Sequence, residues 1–267
     1  MERDRDSRGV DATTPNVARL YDYYLGGKDN FSADREAAER ILAIAPEVRL
    51  AARENRAFLG RAVRFLAETG ITQFLDIGTG LPTQGSVHEV ASTVVDRPRV
   101  VYVDNDPVVL IHARALLEDD GLTTVVEGDL RRPEDILRHP AVVEAIDFNR
   151  PVGLLLAAIM HFVTEEDKPA RILATLREAL PPGSHLVLSH GTRDARPAAV
   201  DTGTRVYRQA TSPLVLRSRP EIEAMFEGFE LVDPGVVWLP QWRPYRSDAS
   251  LLRPESSLIL CGVGRKI

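Results

Sequence analysis

Residues 74–85 read FLDIGTGLPTQG, a short apolar run that closes on Asp76 and then on two glycines, Gly78 and Gly80. The run QFLDI (73–77) has the length and apolar character of a buried strand. A glycine pair where such a strand gives way to the next element lets a ligand approach the backbone, at the point where doubly wound sheets bind ligands. Taken alone, D-x-G-x-G could equally be a tight turn, so the surrounding sequence has to decide.

Downstream, β-rich runs alternate with helical ones, which is the signature of βαβ units and a parallel sheet. Strands are predicted at QFLDI, RVVYVD (99–104), TTVVEGD (123–129), PVGLLLAAI (151–159), HLVLSH (185–190), LVDPGVVWL (231–239) and SLILCGVG (257–264). The last two are separated by a stretch without helical pattern and should pair antiparallel. The expected fold is therefore α/β: a Rossmann-like, doubly wound, mostly parallel seven-stranded sheet with an antiparallel last strand. Between the strands, Asp106, Pro107 and Gly121 mark the start and end of one helix. Thr164 with Asp167, and Ser218 with Glu221, resemble capping boxes.

Upstream, Ala37, Ile41 and Ile44 form a helical stripe that Pro46 interrupts, and residues 46–70 carry a longer one through Val48, Ala52, Leu59, Val63 and Leu66. Asn55 falls on that stripe, where it either hydrogen-bonds in the core or faces a ligand. The expected organisation is a flexible N-terminus (1–14), a helical N-terminal cap (15–70) and a core (71–267). Three of the six tyrosines, Tyr21, Tyr23 and Tyr24, crowd into this cap ahead of Gly26 and Gly27. On a helix over 16–25, Val17, Leu20 and Tyr24 should pack on the domain while Tyr21 and Tyr23 point elsewhere. The segment is expected to be a lid that brings at least one tyrosine to the site, with Lys28, Asp29 and Asn30 offering polar groups or merely a solvated turn.

Composition narrows the function. A net charge of −6 gives no footprint for nucleic-acid binding, and small-molecule substrates fit better. The single Cys261 excludes an internal disulfide and a multi-cysteine metal site, and no metal is expected. No apolar run reaches a membrane span and residues 1–15 are too charged for a secretory signal, so a cytoplasmic protein is expected.

Two further acids stand at strand ends. Asp104 closes RVVYVDND (99–106), placed to accept both hydroxyls of a ribose, and Asp129 ends VVEGDL (125–130), placed to meet an exocyclic amine of a base. Leu81, Pro82 and Thr83 stand where a pyrophosphate binder would carry its third glycine, which argues against NAD and FAD.

With these motifs, residues 71–264 resemble a class I S-adenosylmethionine-dependent methyltransferase. TPNVARLYDYYLGGKDNF (14–31), joined to FLDIGTGLPTQG and YVDNDP (102–107), is similar to a bacterial family called S-adenosyl methyltransferases, long carried as a domain of unknown function. The resemblance implies S-adenosylmethionine as cofactor and S-adenosylhomocysteine as product. It places Asp76, Gly78, Thr79 and Gly80 at the methionine part, Asp104 and Asn105 at the ribose, Gly128 and Asp129 near adenine, and Ala158 beside the methyl. It names no acceptor. LLLAAIMHFVTEED (154–167) lacks the Asn-Pro-Pro-Tyr motif of relatives that position amines, which argues against nitrogen methylation of DNA or protein amides. The catalytic candidates are His161 and Tyr24. His161, like His190, could act as a base or cap a turn. The expected function is methyl transfer to a small-molecule acceptor; a pocket closed by Tyr23 or Tyr24 and open toward residues 195–217 would suit an aromatic or polyketide-like one. The alternatives are a cofactor-binding regulatory module without catalysis and a nucleotide-dependent oxidoreductase.

Overall fold

The computed structural model describes residues 11–82, 85–117, 121–195, 210–245 and 253–267. Within these residues lie eight strands: β1 (Gln73–Ile77), β2 (Arg99–Asp104), β3 (Thr123–Glu127), β4 (Gly153–Ala157), β5 (His185–Gly191), β6 (Phe229–Leu231), β7 (Val237–Trp238) and β8 (Ile259–Lys266). They form one sheet in the order β3-β2-β1-β4-β5-β8-β6, with β7 also on β8. β1 to β5 pair in parallel, and β8 runs antiparallel to β5, β6 and β7. The strand order reverses between β1 and β4, so the turn after β1 opens at the switch point.

The sheet has one strand more than the seven expected. The run LVDPGVVWL divides because Pro234 has no N–H for a ladder, and Gly235 N–H donates back to the Val232 carbonyl (2.8 Å) to close a turn. The parts on either side, β6 and β7, each pair with β8.

Alternation along the strands divides the core between two faces. Phe74, Tyr102, Leu155 and Val187 face α3 (Val48–Glu68), α4 (Val87–Ser92) and α5 (Pro107–Leu117). Leu75, Val103, Leu156 and Leu188 face α6 (Pro133–Arg138), α7 (Pro140–Ala145), α8 (Pro169–Ala179) and α9 (Arg219–Ala224). Cys261 is buried on β8, and burial pushes its thiol well above the ordinary range. Among the described residues no helix is long and apolar enough to cross a membrane.

Segment 15–70 contains α1 (Val17–Leu25), α2 (Ser32–Ile44) and α3. Leu20, Tyr24, Ala37, Ile41 and Ala52 make a small core of their own, while the length of α3 buries Phe58, Ala62 and Leu66 on the sheet. α3 therefore packs against both hydrophobic clusters. Asn16 caps α1, its Oδ1 accepting from Ala18 N–H at 2.7 Å. Ser218 and Glu221 form the expected box on α9. The Thr164–Asp167 pair instead closes a separate turn, because α8 starts only at Pro169.

Candidate functional site

The strand ends β1 to β5 open into a cavity of about 260 Å³. Gly78 (φ +78°) must be glycine twice over: its φ is left-handed, and a Cβ there would meet the Ile159 side chain at 2.5 Å. The next glycine fixes the neighbouring acid. Gly80 N–H donates to Asp104 Oδ2 and Asp106 N–H to Asp104 Oδ1, each at 2.9 Å, holding the carboxylate at the cavity wall. Burial raises the Asp104 pKa despite these donors. Thr79, Asn105 and Gly128 also line this end. A Cβ on Gly128 would meet Val103 at 2.7 Å and Ile136 at 2.9 Å, so packing as well as any ligand demands glycine.

Asp129 lies two residues past β3 and is clamped by Arg131, whose Nε donates to Oδ1 (2.9 Å) and Nη2 to Oδ2 (2.6 Å). Both residues line the cavity, and the Arg131 bonds hold the Asp129 carboxyl below its ordinary range in spite of partial burial. Asp76 behaves differently. Its side chain is buried on the α3 face of β1 and is not part of the cavity wall. Burial pushes its pKa up to about 7, opposed by the charge of Arg56.

β4 is followed by Ala158, a non-glycine residue at φ +56°. Strain of this kind persists only where the surroundings hold it, and here a hydrogen-bonded chain does so. Ala158 N–H donates to Ser189 Oγ (2.8 Å), Ser189 Oγ–H to Asn55 Oδ1 (2.6 Å), Asn55 Nδ2–H to Tyr21 Oη (3.0 Å), and Tyr21 Oη–H to the Ala52 carbonyl (3.0 Å). Asn55 thus hydrogen-bonds in the core and also lines the cavity. Burial pushes the Tyr21 phenol above its ordinary pKa.

His161 lines the cavity next to this chain, and its Nδ1 accepts Gly191 N–H at 3.1 Å. A neutral ring so bonded carries its proton on Nε2 and presents a donor, with no free lone pair to receive a proton. Burial, then His190 and Arg217, hold its pKa well below the ordinary value. His190 is outside the cavity wall: its Nδ1–H donates to the Gly191 carbonyl (2.7 Å), its Nε2 accepts from Arg217 (2.9 Å), and burial lowers its pKa to about 4.

Of the three tyrosines, Tyr21 is placed otherwise than expected. Val17, Tyr21 and Tyr24, spaced i, i+4, i+7, share the face of α1 that lines the cavity, so Tyr21 points in rather than away. Tyr24 is also buried in the helical cluster with Leu20. Tyr23 lies on the outer surface, donating to Glu39 beneath the Arg49 guanidinium. Lys28 is exposed, and Asn30 Nδ2–H donates to Asp22 Oδ2 (2.8 Å), so neither reaches the cavity. Ile41, Val48 and Leu59 continue the apolar wall, to which Ala195, Leu214 and Leu216 also contribute. Much of the 195–217 segment, residues 196–209, lies outside the described residues.

The sequence reading missed Arg56, Arg131 and Ser189. Each sits one or two residues from a residue it singled out (Asn55, Asp129, His190), but nothing local showed which would turn inward. Among the described residues no three His, Cys, Asp or Glu side chains gather as a metal site requires.

A family model described as S-adenosyl methyltransferase matches residues 3–267. The crystal structure of a candidate methyltransferase from Thermobifida fusca YX is similar at 45% identity and TM-score 0.91, covering 97% of this chain and 97% of that one. A DUF574 family protein from Streptomyces avermitilis MA-4680 is similar at 42% identity and TM-score 0.91, covering 96% and 99%. The N-methyltransferase NodS from Bradyrhizobium japonicum WM9, solved with S-adenosyl-L-homocysteine, shares the fold at 14% identity and TM-score 0.51 over 81% of this chain and 87% of that one. No curated protein matches the chain.

Proposed function

The chain belongs to the S-adenosyl methyltransferase family, and from that premise we propose that its cavity carries methyl transfer from S-adenosylmethionine to a small, uncharged and largely apolar acceptor. The observation that carries this reading is the continuity of one cavity. Acids stand at its β2–β3 end, aliphatic and aromatic side chains of α1 to α3 line the other, and Ala158 lies between.

The residues at the polar end fit the nucleoside. An ionised carboxylate has about four acceptor positions, and Asp104 commits one oxygen to Gly80 and the other to Asp106, leaving capacity for two ribose hydroxyls. Asp129 and Arg131 form the matching edge for adenine, with Gly128 beside them in the wall. When bound, the cofactor supplies a methyl group already activated on a sulfonium.

What remains for the protein is orientation and the exclusion of water. The chain from Tyr21 through Asn55 and Ser189 holds Ala158 in its left-handed conformation, which fixes the cavity floor. Val17, Tyr24, Ile41 and Leu59 supply the dry wall. His161 enters as a hydrogen-bond donor that orients an acceptor oxygen or nitrogen, and not as the base that was one of its two readings from sequence. The acceptor is then a group that is nucleophilic without His161 taking its proton. The regulatory-module and oxidoreductase alternatives draw no support from these observations.

Titration calorimetry with S-adenosylhomocysteine tests the reading. Asp104→Ala should weaken binding by roughly tenfold or more through the loss of charge-assisted hydrogen bonds. A folded Asp104→Ala protein that binds as tightly as the parent would remove it.

A further inference from the structure

Two fixed positive charges line the cavity among the described residues, Arg131 and Arg56. Arg131 is committed to Asp129 through both of its fork nitrogens. Arg56, on α3 beside the glycine turn, is not. Its guanidinium makes one hydrogen bond among the described residues, a long one of 3.3 Å from Nη2 to the Leu81 carbonyl, and its Nε is buried without a partner. The Tyr21 ring centroid lies 5.8 Å from its Cζ. A buried guanidinium nitrogen left unpaired at a cavity wall is costly and calls for an explanation.

We infer that Arg56 anchors the carboxylate of the cofactor's methionine portion. The inference rests on the reading of Asp104 and Asp129 given above. With ribose at the end of β2 and adenine beyond β3, the amino-acid end has to run the opposite way across the sheet, over Gly78 and toward α3. A carboxylate entering that mostly apolar end needs a cation that is not already spent, and a planar guanidinium with free N–H groups matches its two oxygens. Arg56 occupies that position. Asp76, behind the turn, is near enough to feel the Arg56 charge, but among the described residues it makes no hydrogen bond or ion pair with it and does not line the cavity, so it leaves the fork open to a ligand.

Two ligands isolate the contact: S-adenosylhomocysteine, and 5′-methylthioadenosine, which keeps adenosine and thioether and lacks the amino-acid group. Calorimetry on the full chain and on Arg56→Gln should show the Kd for S-adenosylhomocysteine rising by roughly tenfold or more, while that for 5′-methylthioadenosine stays nearly unchanged. Arg56→Lys, which keeps the charge and loses the fork, should fall between, and it gives the same comparison if Arg56→Gln does not fold. Equal weakening of both ligands would overturn the inference by showing that Arg56 only shapes the cavity, and so would unchanged binding of both. Parent protein that binds neither ligand would overturn the reading of the cavity and this inference with it.

Discussion

Asp76 shows what burial does to a carboxylate that no described residue hydrogen-bonds. Folding raises its pKa from 3.8 to about 7, so between those values the native chain holds a proton that the unfolded chain has released. Stability therefore falls as pH rises through that window, and the cost is fully present above it. Asp76→Asn removes the cost: the variant should be more stable than the parent at pH 8 by up to about 4 kcal/mol, with the difference shrinking as pH falls toward the unfolded value of 3.8. Urea unfolding across pH checks this, and a difference that does not vary with pH would show Asp76 ionised throughout. At this scale the readable residues were those whose part is set by their own strand end, such as Gly78, Asp104 and Asp129. Ser189 was not among them, because its partner Asn55 is 134 positions away and no local pattern pairs them. His161 was readable as a site residue but not in its proton chemistry, which depends on the N–H of Gly191 thirty positions on.

At the scale of elements, periodicity and capping located the long helices, while α6 and α7, six residues each, are too short to show a stripe. The face that α1 presents was misjudged for a related reason: Val17, Leu20, Tyr21 and Tyr24 are all large and apolar enough to be buried, and only tertiary packing shows that α1 is covered on two sides. A buried ion cluster fixes that packing. Arg19 Nε lies 3.0 Å from Asp34 Oδ2 and Nη1 lies 3.9 Å from Asp106 Oδ2, with all three side chains nearly inaccessible. The cluster joins α1 and α2 to the start of α5, next to the Asp104 that the ribose would meet. Breaking a buried pair from one side strands the other charge, so Arg19→Met should cost about 3–5 kcal/mol. Asp34→Asn should itself destabilise, because the two Asp34 oxygens also accept the backbone N–H groups of Asn16 and Phe31 at 2.8 Å each and an amide turns one of them into a donor. The loss in the double variant should be smaller than the sum of the two. Thermal or urea unfolding of the double-mutant cycle measures the coupling, and strictly additive losses would show that Arg19 and Asp34 do not act as a unit.

For the molecule as a whole, the alternation of strands and helices made the parallel sheet and its one reversed strand legible, but not the order β3-β2-β1-β4-β5-β8-β6, in which the chain returns from β3 past β2 and β1 to β4 and β8 inserts between β5 and β6. How the N-terminal helices close over the strand ends was legible only as crowded tyrosines, since the contacts that seat them come from distant parts of the chain: Phe31 against Leu81 and Val108, and Thr211 N–H donating to the Pro15 carbonyl at 3.0 Å. The arrangement sets up a last test. α1 and α2 rest on a small cluster around Leu20, Tyr24 and Ile41, much smaller than the two cores on the sheet, so they should open locally well before the sheet unfolds. Val17, Tyr21 and Tyr24 wall the cavity, so a ligand held there should have to leave before α1 can lift. In that case the opening free energy of the cap increases by the ligand's linkage term, about 2.7 kcal/mol at a hundred times Kd. Amide hydrogen exchange in α1 and α2 should therefore be faster than in β1, β4 and β5 without ligand, and should slow by roughly a hundredfold when S-adenosylhomocysteine is present at that excess. If α1 only seals the helical cluster, it can open with the ligand still in place. Its amides would then exchange at the same rate with and without S-adenosylhomocysteine, and the lid would have to be abandoned.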